Sequence, residues 1–188
     1  MEQLLINCHI PDDERNSFKD MLHHKQILDE HREVNRRQRQ AFSKMKESLE
    51  KNVLLILIDF KQNIELGHGP IENQDVWRTK VQNTVLGMVL WLNGEKYYVD
   101  FVSRVLSHTS DVVIGCLEQL FKEKWLCYEK IIKIHFWMDC APYFRCSHLA
   151  YFILKHIPTF KKSTSMNFWA ERHGKSEYNS HFACICLK

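Results

Sequence analysis

The sequence predicts an α/β domain built on a mixed five-stranded sheet, and three observations predict it. Two apolar runs, VLLILI (Val53 to Ile58) and IIKIHFWMDC (Ile131 to Cys140), are rich in branched side chains and too short to cross a membrane, so each reads as a strand buried on both faces. Asn93 and Gly94 stand between two further strand candidates, Thr84 to Leu92 and Lys96 to Val105, as a two-residue hairpin signal. Helical periodicity then alternates with the later strands, the pattern of parallel strands joined by crossovers.

Met1 to Ile10 reads as an irregular or strand-like lead-in. Pro11, Asp12, Asp13 and Glu14 open a helix, with proline and acids where the dipole and the unpaired amides favour them. No proline or glycine follows until past Lys51. Phe18, Met21, Leu22, Leu28, Val34, Phe42, Met45 and Leu49 recur at helical spacing, which predicts one long helix, whole or broken, packed by one stripe. Its other face carries Arg32, Arg36, Arg37 and Arg39, either a solvated face or a phosphate-contacting one. After the first strand, His68 to Asp75 is loop-like in its glycine, proline and polar residues. Ser107 to Asp111 offer N-cap residues for a helix whose apolar face is Val112, Val113, Cys116, Leu117, Leu120 and Phe121. Pro142 is expected to open the next helix and Pro158 to stop it; Ser165 to Ala170 form a fifth short strand, and a last helix begins near Lys175. Residues 1–51 are thus expected as a helical segment and residues 52–188 as the core domain. Three strands, helix, strand, helix, strand is the order of elements in the ribonuclease H-like fold, where the first and fourth strands are neighbours.

Composition agrees with a folded globule: 45% of the 188 residues are apolar and 12% aromatic. A net charge of +3 and a pI near 8.4 are compatible with nucleic acid as a partner without arguing for it. No signal-peptide pattern opens the sequence and no apolar run reaches membrane length, so an intracellular protein without membrane attachment is expected. Seven cysteines, an odd number without a CxxC pair, read as free thiols. Cys140 with Cys146 and His148, or Cys184 and Cys186 with His181, lack zinc-finger spacing.

The chemistry lies where the two apolar runs end. The first stops at Asp59 and the second at Asp139. If these strands are neighbours, two carboxylates converge, and a hard divalent cation is the usual partner of such a pair. The bland reading keeps both acids as strand-end caps or as partners of Lys61 and Arg145.

Three segments carry a resemblance: DFKQNIELG (Asp59 to Gly67), HFWMDCAPYFR (His135 to Arg145) and NFWAERHGKSEYNSHF (Asn167 to Phe182). Together with His31 and the Arg36 to Arg39 run, they resemble the catalytic core of eukaryotic cut-and-paste transposases of the DDE/D type, from about Leu28 to Phe182. The resemblance implies two-metal phosphoryl transfer on DNA, with Asp59 and Asp139 holding Mg2+ or Mn2+. It implies a third ligand in the His-Gly-Lys box, where Asn179 stands in place of an acid and Glu171 and Glu177 are the nearby carboxylates. It makes Arg36, Arg37, Arg39, Arg145, His173 and Lys175 the contacts to nucleic acid. Ala141 and Tyr143 depart from the glycine and histidine of the related box. The ends of the sequence read as those of a core fragment, a decayed copy or a domesticated derivative. The expected partners are DNA and either a protein or a second copy, with no small-molecule substrate, and the expected compartment is the nucleus. The alternative is a catalytically silent descendant that binds nucleic acid or protein through the same fold.

Overall fold

The computed structural model describes residues 12–66 and 81–170. The chain divides into two compact units, residues 1–41 and 42–188. The first helix, α1 (Asp12–Glu47), runs unbroken through 36 residues, supplying the first unit's described part and entering the second. Its expected packed stripe is only partly buried. Phe42 is buried, and Met45 and Leu49 are partly so, whereas Met21, Leu28 and Val34 are exposed. Intrahelical pairs and helix-forming residues sustain the helix where burial does not.

The second unit holds a five-stranded sheet: β1 (Val53–Leu66), β2 (Val81–Leu92), β3 (Glu95–Ser103), β4 (Lys133–Met138) and β5 (Ser163–Phe168). Their order is β3-β2-β1-β4-β5, with β1 antiparallel to β2 and β2 to β3, and with β4 parallel to both β1 and β5. This is the ribonuclease H-like arrangement. The β2–β3 turn puts Asn93 at φ 53° and Gly94 at φ 84°, the double positive φ of the preferred hairpin turn. Nothing lies within 4 Å of a Cβ built on Gly94. Gly94→Ala therefore meets no clash and costs only its backbone strain, about 1–2 kcal/mol, read as a lower urea midpoint with an unchanged slope.

Alternation along β1 explains why the run is apolar throughout. Leu54, Ile56, Ile58 and Phe60 join Val113, Leu117 and Leu120 of α2 (Ser110–Lys122) in one core. Leu55 and Leu57 join Val85, Val89, Trp91, Trp137, Trp169 and Phe42 in another, on the opposite sheet face. Thr109 caps α2, its Oγ1 accepting from the Val112 amide at 3.5 Å.

The helix expected from Pro142 begins later. Asp139 Oδ1 accepts from the Ala141 amide at 3.0 Å, and Phe144 and Arg145 donate back to the Ala141 carbonyl. These bonds close a turn over Ala141 to Arg145 that does not continue as a helix. The helix α3 (Ser147–Tyr151) starts beyond it with Cys146 as cap, passes into a π turn (Phe152–His156) and then a 3-10 turn (Ile157–Phe160). Pro158 lies inside this last turn; the chain leaves it at Lys161, φ 60°. Buried Lys162 then donates to the carbonyls of Tyr128 and Ile131, both at 2.7 Å, fixing the entry to β5. The Met1 to Ile10 lead-in, the His68 to Asp75 loop and the last helix lie outside the described residues.

Candidate active site: an acid pair at adjacent strands

Parallel pairing of β1 with β4 runs in register from Val53 opposite Lys133 to Ile58 opposite Met138. The next residue on each strand is an acid, Asp59 and Asp139. Neighbouring strands lie about 4.8 Å apart, and residues paired across a parallel ladder share a sheet face. Asp59 lies within β1, because β2 pairs past it: Asp59 faces Gly87 and Phe60 faces Leu86. Gly87 puts no side chain beside the carboxylate.

Both acids are partly buried. Burial and then the Asp139 charge push the Asp59 carboxyl up to about 7. Burial also raises Asp139, against the lowering effect of the Ala141 amide that it accepts from. The pair therefore holds protons more tightly than isolated carboxylates.

Tyr143 completes the surroundings. Burial, then Asp139 and Asp59, push its phenol up to about 12, so it stays a neutral donor within electrostatic reach of both acids. Its ring stands edge-on to Phe60 at 5.1 Å, and His108 stacks on Phe60 at 4.3 Å and 13°. His108 Nε2 is buried and has no hydrogen-bond partner among the described residues. The sequence marks Tyr143 only as a departure from the related box. His108 gives no signal there, since it lies in an irregular stretch before α2.

Beside Asp139, the Trp169 amide donates to the Met138 carbonyl at 2.9 Å and the Cys140 thiol donates to the Trp169 carbonyl at 2.7 Å. Cys140 thus ties the end of β5 to the end of β4. Arg145 is exposed and makes no ion pair among the described residues; it lines a cavity of about 400 Å³ with Cys146, Ser147, Ala150, Leu154, Met166 and Phe168. On α1, Arg36 and Arg37 share the Glu33 carboxylate at 2.7 and 2.8 Å and hold it down to about 2, while Arg39 donates to Asn35 Oδ1 at 3.3 Å. Glu171, His173, Lys175, Glu177 and Asn179 lie outside the described residues. Among the described residues no group of three His, Cys, Asp or Glu side chains could hold a metal ion. Of the zinc-like set, Cys146 caps α3 and His148 Nδ1 meets Asp111 at 3.0 Å.

A family model described as a domain of unknown function, DUF8701, matches residues 38–184, most of the chain. The chain belongs to the DUF8701 family. The DUF8701 match takes in Asp59, Asp139 and the segment from Glu171 to Asn179, and leaves Arg36 and Arg37 outside. Among solved structures, this DUF8701 chain is similar to a chain of the Mos1 strand transfer complex, at 12% identity and a TM-score of 0.43, over 82% of this chain and 48% of that one. It is also similar to a chain of a pre-cleavage Mos1 transpososome, at 10% identity and a TM-score of 0.37, over 82% and 50%. The DUF8701 chain thus spans about half the length of those chains. No curated protein matches it in sequence.

Proposed function

We propose that this chain acts on DNA by metal-assisted phosphoryl transfer of the transposase kind, with Asp59 and Asp139 as the carboxylates that hold Mg2+ or Mn2+. The observation that supports this reading is the acid pair itself. Two partly buried carboxylates, one residue past a continuous parallel register, need positive charge between them, supplied by protons or by a divalent ion. When bound, the ions would activate the attacking oxygen and stabilise the leaving one. Glu171, Glu177 or Asn179 would supply the third ligand. Arg145, His173 and Lys175 would contact phosphates beside the acids, with Arg36, Arg37 and Arg39 adding sequence-independent attraction to DNA. A DNA substrate makes the nucleus the working compartment.

Titration of Mn2+ into the wild type and into Asp59→Asn, followed by plasmid nicking with both proteins, tests the proposal. Uptake and nicking by the wild type, both lost in the variant, are the expected result. Absence of metal uptake by the wild type would sink it. The second reading, a silent nucleic-acid-binding or protein-binding descendant, is favoured by the neutral Asn179. Wild-type DNA retention without metal uptake would select it.

Tyr143 provides a finer prediction. Its neutral hydroxyl is suited to donate to a phosphate oxygen as charge develops there. Tyr143→Phe is expected to keep Mn2+ affinity and to lower the nicking rate on the order of a hundredfold. A rate equal to wild type would assign Tyr143 to packing alone.

A further inference from the structure

The first compact unit poses a question that the acid pair does not answer. Its described residues form the helix α1 and leave several large apolar side chains in solvent: Met21 is 59% exposed, Ile27 49%, Leu28 45% and Val34 47%. At 3.6 residues per turn these four share one arc, about 140° wide, with His24 and His31 between them. An arc of this width is what a helix presents to a partner.

We propose that this arc is a self-association surface on which a second copy of the chain docks antiparallel. Two observations name the occupant. The first is charge: Asp12 to Glu30 carry six acids against three basic residues, and His31 to Glu47 carry six basic residues against two acids. A parallel partner would lay like charge on like, whereas an antiparallel one lays the acidic half on the basic half. The second is that the arc reads the same in both directions. A two-fold axis between Ile27 and Leu28 sets Ile27 against Leu28, His24 against His31 and Met21 against Val34. An isologous interface needs that self-complementarity, since wherever a residue i meets j of the other copy, j must meet i in return.

The surface is small and its flanks are charged, so the expected complex is a reversible dimer, weakened by salt. The Arg36 and Arg37 pairs with Glu33 do not compete with it, because they lie on the flank of the helix away from the arc's centre.

Sedimentation equilibrium of the full chain is the test, alongside Ile27→Asp combined with Leu28→Asp. Both substituted residues are exposed, and circular dichroism checks that the fold survives. A concentration-dependent dimer for the wild type, with a dissociation constant raised at least tenfold in the double variant, is expected. A benzophenone amino acid placed at Met21 should cross-link to the region of Val34 in the other copy. A monomeric wild type, a dimer indifferent to the double substitution, or cross-links from 21 to 21 would each overturn the proposal. So would a monomer whose helix is covered only when DNA is added.

Discussion

Asp59→Asn is expected to unfold at a higher temperature than the wild type at pH 8 without divalent ions, and to match it at pH 4. The Asp59 carboxyl is raised to about 7 in the folded protein, against 3.8 for an unperturbed carboxyl. Between those values the folded state keeps a proton that the unfolded state releases. The stability that this group contributes is thus fully present below about pH 4 and is lost as pH rises through 7. Above that, folding retains a confined negative charge next to Asp139, at a cost of up to about 4 kcal/mol. The neutral amide removes that cost. For a domain of this size the gain corresponds to several degrees in Tm. Mn2+ should raise the wild-type Tm at pH 8 and leave Asp59→Asn unmoved. A lower Tm for the variant at pH 8 would mean that a cationic partner, not repulsion, governs the site.

Phe42→Ala is expected to cost about 3–5 kcal/mol, the range for removing a large buried ring. Phe42 is the only α1 residue buried among those whose burial is described, and it stands edge-on to Trp91, Trp137 and Trp169 at centroid distances of 5.6, 5.3 and 5.1 Å. Its removal takes one member from a four-ring cluster that covers the β1 and β4 face bearing Leu55, Leu57 and Trp137. Urea unfolding followed by tryptophan fluorescence measures the loss, and Lys25→Ala, exposed on the same helix and off the apolar arc, is the control, expected within about 0.5 kcal/mol. Trp169 also donates to the Met138 carbonyl next to Asp139, so the variant should lower Mn2+ affinity as well. Equal losses in the two variants would contradict the assignment of Phe42 as the helix's anchor.

The sheet was legible because its signals are local. Six apolar residues ending in Asp59, the Asn93-Gly94 pair and the run ending in Asp139 each specify a strand or a turn without help from the rest of the chain. The extension of β1 past Asp59 was not, because it is set by pairing with β2, where Gly87 admits the acid and the ladder continues opposite Leu86 and Val85. Pro142 misled for a related reason: the Asp139 carboxylate captures the Ala141 amide, and the turn that follows delays α3 to Ser147. The α1 stripe showed periodicity from Phe18 to Leu49, yet periodicity records only which residues share a face. Which part of that face is covered depends on the tryptophans of distant strands. Of the candidate site, the two acids could be read from where the apolar runs end, whereas the Phe60, His108 and Tyr143 cluster joins a strand, the stretch before α2 and a turn, and no spacing encodes it.

The strand order also sets a sequence of events. β1, β2 and β3 are consecutive in sequence and neighbours in the sheet, so their pairing joins segments close along the chain and can proceed early. Val53 must instead find Lys133, some 80 positions away along the chain, before Asp59 and Asp139 become neighbours. The carboxylate pair is therefore expected to form late in folding. A nascent or partly unfolded chain holds the two acids apart, and divalent ions added during refolding should act on the final docking step while leaving the hairpins to form at their own pace.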